Sequence, residues 1–290
     1  MSLRLQIAGL FLLPVAILGG LYALGLSIPV PQMGRDYVLR ILFPEESESL
    51  ELPEIQGPLD ASRPLVVIDA GHGGPDPGAS GSGYVEKRLV LSYATALRDR
   101  LLAGGGVRVA MTRSDDTFVV LGERVATAQA LGADLFVSIH ADSAENTGAS
   151  GATIYTLADE ASDAVAARFA VRENAASRIN GVDLDATEGD VDDILFDLSQ
   201  RRVERESKAF ARLVVREGEG RIAFHPRPLR EADLAVLKSP DIPAILFESG
   251  YISNPEDAER LAASDTRSSF AIALARAIRI HFARESAATN

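Results

Sequence analysis

The stretch LVVIDAGHGG, residues 65–74, decides the fold. Its first six residues are apolar and partly β-branched, and Gly71 stops the run. Such a segment reads as a strand buried on both faces. Downstream, residues 86–102 place Leu89, Val90, Tyr93, Ala94, Leu97 and Leu101 at helical spacing, ending at Gly104. Residues 107–111 form a second strand pattern, 121–131 a second helix and 134–139 a third strand. Further strands are expected at 152–155 and 244–247, and a closing helix at 266–282. Strand and helix alternate, which predicts an α/β fold: a single domain with a mixed, mostly parallel sheet and helices on both faces.

Composition narrows the chemistry. The chain has 290 residues and a formal net charge of −12. That balance argues against a nucleic-acid partner, since phosphate binding needs clustered Lys and Arg. There are no cysteines, so any metal must be held by His, Asp or Glu.

The chain begins with Arg4 and then an uncharged apolar run from Leu5 to Val30. Residues 1–33 therefore read as a signal peptide or signal anchor that engages the membrane at least transiently. Cleavage and retention both stay open. Residues 34–63 are acidic and proline-containing and read as a solvated linker. The folded domain is expected over 64–284, followed by a tail at 285–290.

Only four histidines occur, and two of them follow expected buried strands: His72 and His140. Ligands of open α/β sheets bind outside those strand ends. Glu86, at the start of the following helix, is a third candidate ligand, although it could equally be a first-turn acid favoured by the helix dipole. Two His and one carboxylate with an open position make a catalytic zinc set, which acidifies water and polarises a carbonyl. Glu248 ends the strand at 244–247 and is placed to act as general base. His225 reads as a surface or groove residue and His281 as structural.

Four stretches, in order, resemble the zinc-dependent N-acetylmuramoyl-L-alanine amidases of Gram-negative cell division. They are VVIDAGHGGPDPGA (66–79), YVEKRLVL (84–91), ADLFVSIHADS (133–143) and LKSPDIPAILFESGYISNPEDAERL (237–261). Four ordered motifs are far more specific than any one. The one small departure is Gln129, where Asn is usual. The resemblance implies one Zn2+ per chain on His72, Glu86 and His140, with Glu248 as the catalytic carboxylate. It implies hydrolysis of the amide between N-acetylmuramic acid and L-alanine in peptidoglycan. The N-terminal segment predicts export to the periplasm, free or anchored to the inner membrane, and a monomer is the default expectation, since nothing suggests an oligomer seam. Two alternatives stand beside it: a peptidoglycan-binding module without catalysis, and a zinc carboxypeptidase, which would need an Arg such as Arg227 or Arg230 facing the metal.

Residues 158–218 form a helical insertion, and 173–200 is similar to the regulatory insertion of those amidases. The resemblance implies that Glu173 sits on the metal as an autoinhibitory contact. It also implies an activator-binding helix that meets a LytM-domain protein. In an expected helix over 160–179, Val165, Phe169, Glu173 and Ala176 share a face. A carboxylate in an apolar stripe is costly to bury unless paired, and a metal would pair it; the spacing by itself equally allows Glu173 at the stripe's edge in solvent, and the resemblance is what favours the metal. Val191, Ile194, Leu195 and Leu198 make an apolar stripe that fits helix-in-groove recognition by the activator, or an ordinary helix packed on its own domain.

Overall fold

The structure is a computed structural model, and it describes residues 52–144, 146, 148–175 and 193–289, with the side chains of 193–199 and 288–289 excepted. The apolar segment at 1–33 and most of the expected linker lie outside the described residues.

The chain builds β1 (Leu65–Ala70), the short pair β2 (Ser80–Gly81) and β3 (Tyr84–Val85), then α1 (Glu86–Gly104) and β4 (Arg108–Met111). Next come α2 (Leu121–Ala130), β5 (Leu135–Asp142), β6 (Ala152–Leu157) and α3 (Ala164–Ala175). The rest is α4 (Asp193–Gly218), β7 (Phe224–Ala232), β8 (Ala244–Tyr251), α5 (Pro255–Ala262) and α6 (Ser264–Thr289). The six-stranded sheet has the order β4-β1-β5-β8-β6-β7. All neighbouring pairs are parallel except β6 with β8.

The period-2 alternation of β1 divides the core. Val66, Ile68 and Ala70 pack with α1, α4 and α6 on one face. Leu65 and Val67 pack on the other, with residues of α2 and α3. Both faces are covered, which is why β1, β5 and β8 read as continuous apolar runs rather than alternating ones. From β1 the chain runs out to β4, whereas from β5 it continues to β6 on the opposite side. The β1/β5 boundary is therefore a topological switch point, with a crevice at the strands' C-terminal ends.

Several elements differ from the sequence expectation. Strands β5 and β8 run on past 139 and 247 and so contain His140 and Glu248, and β2, β3 and α5 lie outside the expected set. Gln56 pairs antiparallel with Val109 at the open β4 edge, so the end of the expected linker lies on the sheet. Helix α6 continues to Thr289 through the expected tail. Strand β7 goes beyond the expected set, because FHPRPLREA carries two prolines and no clean alternation. It is an edge strand, where a missing amide donor is tolerated. In the 158–218 insertion, α3 is described only from Ala164 to Ala175, and α4 begins at Asp193.

Candidate metal centre

The centre is assembled at the switch point. His72 follows β1 in a left-handed conformation, φ 59°, uncommon for a residue with a side chain and typical of functional sites. Its loop is held from below by two buried arginines. Arg124 donates to the Ala70 and His72 carbonyls at 2.8 and 2.9 Å, and Arg113 to those of Ala70 and Gly71 at 2.8 and 2.7 Å. Arg124 also pairs at 2.7 Å with Asp69, which is fully buried within β1.

His72 Nδ1 lies 2.8 Å from Asp76 Oδ2, which orients the ring and turns Nε2 toward the centre. There Nε2 is 3.1 Å from Glu86 Oε1 and 3.7 Å from Glu173 Oε2. His140 Nδ1 is 3.1 Å and 3.4 Å from the same two oxygens. The amides of Ala141 and Ala79 donate to the Glu86 carboxylate at 2.9 and 2.7 Å, fixing it without a cation. Gly71 makes room for the His140 ring: a Cβ there would lie 2.4 Å from its Cε1. Gly78, at φ 65°, does the same for Glu86 and His72, since a Cβ there would lie 2.6 Å from both side chains.

These residues fit a metal on two grounds. Although His72 Nε2 is close to Glu86, the geometry is not that of a hydrogen bond, and the buried nitrogen has no partner. In addition, tetrahedral ligands at ~2.1 Å from an ion lie roughly 3.4 Å apart, and the separations here run from 3.1 to 3.7 Å. His72, His140 and Glu173 form a buried cluster able to hold a metal ion.

The electrostatics agree. Burial opposes charge on His72, yet Glu86 and Asp76 hold it well above the ordinary imidazole range. Burial likewise opposes ionisation of Glu86, but the two imidazoles hold it well below the usual carboxylate range. The surrounding carboxylates therefore favour positive charge at the His72 ring.

Glu248 stands on β8 opposite His140 in register and accepts from the Asp142 amide at 2.8 Å through Oε2. Its Oε1 is buried and unpartnered. Burial, with Asp142, Glu86 and Glu173 nearby, pushes Glu248 well above the usual range, so it readily takes a proton.

Glu173, 8% exposed, reaches the centre from α3. The buried face of this helix is Ala166, Phe169, Ala170 and Glu173; Phe169 and Glu173 are buried as expected, whereas Val165 is 38% exposed and Ala166 takes its place. Ala176 lies outside the described residues. Phe169 stacks on Tyr155 at 4.5 Å. Arg172 pairs with Asp142 and donates to the Ser143 carbonyl at 3.1 Å. Asn174 bridges the Asp233 carbonyl and the Ala235 amide at 2.8 and 2.9 Å. With α3 in place, a cavity of about 10 Å³ remains beside His72, His140 and Glu173, room for about one water.

Sequence reasoning misses Asp76, Asp142 and Arg172 as parts of this site. Asp76 and Asp142 lie inside the family-like motifs, and Arg172 adjoins Glu173, so proximity is the one signal the chain offers. Of the expected activator stripe, Val191 lies outside the described residues, as do the side chains of Ile194, Leu195 and Leu198. His225 lines a groove beside α3, and His281 packs between Phe210 and Phe282.

Comparison with known proteins extends the resemblance. A family described as N-acetylmuramoyl-L-alanine amidase matches residues 66–280. N-acetylmuramoyl-L-alanine amidase AmiC of Neisseria meningitidis is 40% identical over 206 residues, covering 70% of this chain and 49% of that protein. The chain thus spans about half the length of that relative. AmiA of Escherichia coli is 37% identical over 220 residues, covering 75% of this chain and 76% of AmiA. Among solved structures, AmiC2 of Nostoc punctiforme superposes with a TM-score of 0.54 at 28% identity, covering 76% of this chain and 97% of that one. The catalytic domain of CwlV from Bacillus (Paenibacillus) polymyxa gives 0.54 at 26% identity, covering 76% and 98%.

Proposed function

The chain belongs to the N-acetylmuramoyl-L-alanine amidase family, and from that premise we propose that it is a zinc-dependent, autoinhibited hydrolase of the muramoyl–L-alanine amide of peptidoglycan. The observation that carries this reading is the convergence of His72 Nε2, His140 Nδ1 and Glu86 Oε1 beside the unpartnered Oε1 of Glu248. His72, Glu86 and His140 hold the ion. A bound zinc supplies Lewis acidity, polarising the amide carbonyl and making water acidic.

The chain's own residues do the rest. Asp76 keeps the His72 ring oriented. Glu248 removes a proton from the attacking water and delivers it to the nitrogen as the C–N bond breaks. The products are the lactyl carboxylate on the sugar and a peptide with a free L-alanine amine. The Asp142 amide, bonded to Oε2, leaves Oε1 for this transfer.

The third carboxylate in the cluster, Glu173, takes the position a substrate oxygen would need, and α3 leaves no room for a glycopeptide. Activity then requires α3 to be displaced, and an activator engaging the start of α4 is the device the sequence resemblance supplies. The apolar segment at 1–33 fits export to the periplasm. The carboxypeptidase alternative gains no support, because the described ion pairs of Arg227 and Arg230 are with Asp163 and none is with a residue of the metal cluster.

The test is digestion of purified peptidoglycan by the full chain with zinc, after chelation, and with Glu248→Gln. Zinc-dependent release of stem peptides bearing a free L-alanine amine, lost in Glu248→Gln while zinc stays bound, is the expected result. Binding to the polymer without release, by both this chain and its Glu173→Ala variant, would overturn the reading.

A further inference from the structure

A groove of about 900 Å³ runs from Asp142 and Tyr251, at the ends of β5 and β8, to His225, Arg227 and Arg230 on β7. Its most constrained member is Arg230, whose side chain is 2% exposed. Arg230 is the register partner of Tyr155, so both project from the sheet face that α3 covers through Phe169. Arg230 Nη1 donates to Asp163 Oδ1 at 3.0 Å, and Arg227 Nη1 lies 3.5 Å from Oδ2. The Arg230 Nε has no partner.

A buried guanidinium is strongly disfavoured without a carboxylate. Among the described ion pairs, the only one Arg230 has is with Asp163. Asp163 immediately precedes α3 and caps it, accepting from the Val165 and Ala166 amides at 2.9 Å. One helix thus delivers two carboxylates to two receptors: Glu173 to the imidazoles and Asp163 to the arginines. If α3 must leave for cleavage, as the proposed function requires, Asp163 leaves with it. The arginines then face the groove without their carboxylate.

We propose that Arg230 and Arg227 form a subsite for a free carboxylate on the peptide side of the substrate, and that Asp163 fills it as an internal stand-in while α3 is docked. This rests on the amidase reading above. The glycan side offers no such group there, since the lactyl carboxyl is consumed in the amide. The spacing sets which carboxylate is meant. Asp163 precedes Glu173 by nearly three helical turns, roughly 15 Å along the axis. An extended peptide covers that in about four residues. The recognised carboxylate lies near the far end of the stem, and a bidentate guanidinium contact distinguishes it from a primary amide.

The experiment uses the full chain carrying Glu173→Ala and two muramyl tetrapeptides that differ only in a C-terminal carboxylate or carboxamide. The acid is expected to be cleaved with about tenfold higher kcat/KM, expressed in KM. Adding Arg227→Ala is expected to bring the acid-to-amide ratio toward one. Adding Asp163→Asn, which preserves the helix cap, is expected to raise the ratio by removing the competitor. A role confined to anchoring α3 would change both substrates alike. Equal cleavage of the two by the parent, or a ratio unmoved by both added substitutions, overturns the subsite while leaving the amidase reading intact. Cleavage of neither overturns both.

Discussion

Glu173 Oε2 lies 3.4 Å from His140 Nδ1, so a carboxylate from an inserted helix shares one buried centre with an imidazole from the central strand β5. The same oxygen is 3.7 Å from His72 Nε2. A negative group reaches this depth only because positive charge answers it.

Replacing Glu173 by Ala removes that contact while leaving Phe169, Arg172 and Asn174 to hold α3. Charge-assisted contacts contribute about 1.5–3 kcal/mol, so peptidoglycan cleavage without an activator should rise roughly ten- to a hundredfold. Solubilisation of dye-labelled peptidoglycan measures this, and equal rates for both proteins would rule out the plug.

Arg172 links α3 to the end of β5 through Asp142, and its guanidinium carbon lies 5.4 Å from the Phe169 centroid. The side chain is 48% exposed, so solvent weakens the pair. Arg172→Ala should raise basal activity roughly two- to fivefold, less than Glu173→Ala, as expected for a half-exposed pair. Faster protease nicking near Ala175 would accompany it. Activity falling below the unmodified protein's would contradict a latching role.

Gly71→Ala tests the packing of the centre. The added Cβ cannot coexist with the His140 ring in its present place, so the ring must move. Metal affinity should fall by about tenfold or more, as when ligand orientation is lost. Thermal unfolding in chelator should be little changed if the effect is confined to the site. Titration with a competing zinc indicator reads the affinity directly.

His281 supplies a pH dependence remote from the centre. Burial, with Arg284 adding to it, pushes the ring down to about 4 from its ordinary 6.5. Glu285 Oε1 stands 3.4 Å from Nε2, on the same helix, but without hydrogen-bond geometry. Between these pH values the unfolded chain binds the proton and the folded one does not. Stability is therefore full above about 6.5 and is lost as pH falls toward 4. In His281→Gln, the drop in Tm between about pH 7 and pH 5 should shrink by a few degrees relative to the parent. An identical drop would remove His281 as a contributor.

Much of the site is legible in the chain itself. Residues 65–70 and 135–139 are apolar but for Asp69 and Ser138, which suits a strand covered on both faces, and both strands run toward the same sheet edge. Strand patterning therefore brings His72 and His140 toward one edge, and the same logic brings Glu248 there, although the structure places His140 and Glu248 within the C-terminal halves of β5 and β8 rather than beyond them. These are local signals: side-chain period, strand ends, and glycines where a ring or carboxylate needs space.

What only the tertiary structure decided are pairings between distant segments. The antiparallel insertion of β6 beside β8, and β7 at the edge, follow from which strand finds a free partner, and no periodicity within FHPRPLREA encodes that. The buried face of α3 keeps the expected Phe169 and Glu173 but replaces Val165 by Ala166 and adds Ala170, leaving Val165 to solvent. Arg172 with Asp142, and Arg230 with Asp163, join residues far apart in sequence, and nothing local marks these charges as partners before the fold brings them together. Patterning specifies which face of an element is apolar, but the partner of a charged side chain is set by three-dimensional packing and desolvation, which exist only once the chain has folded.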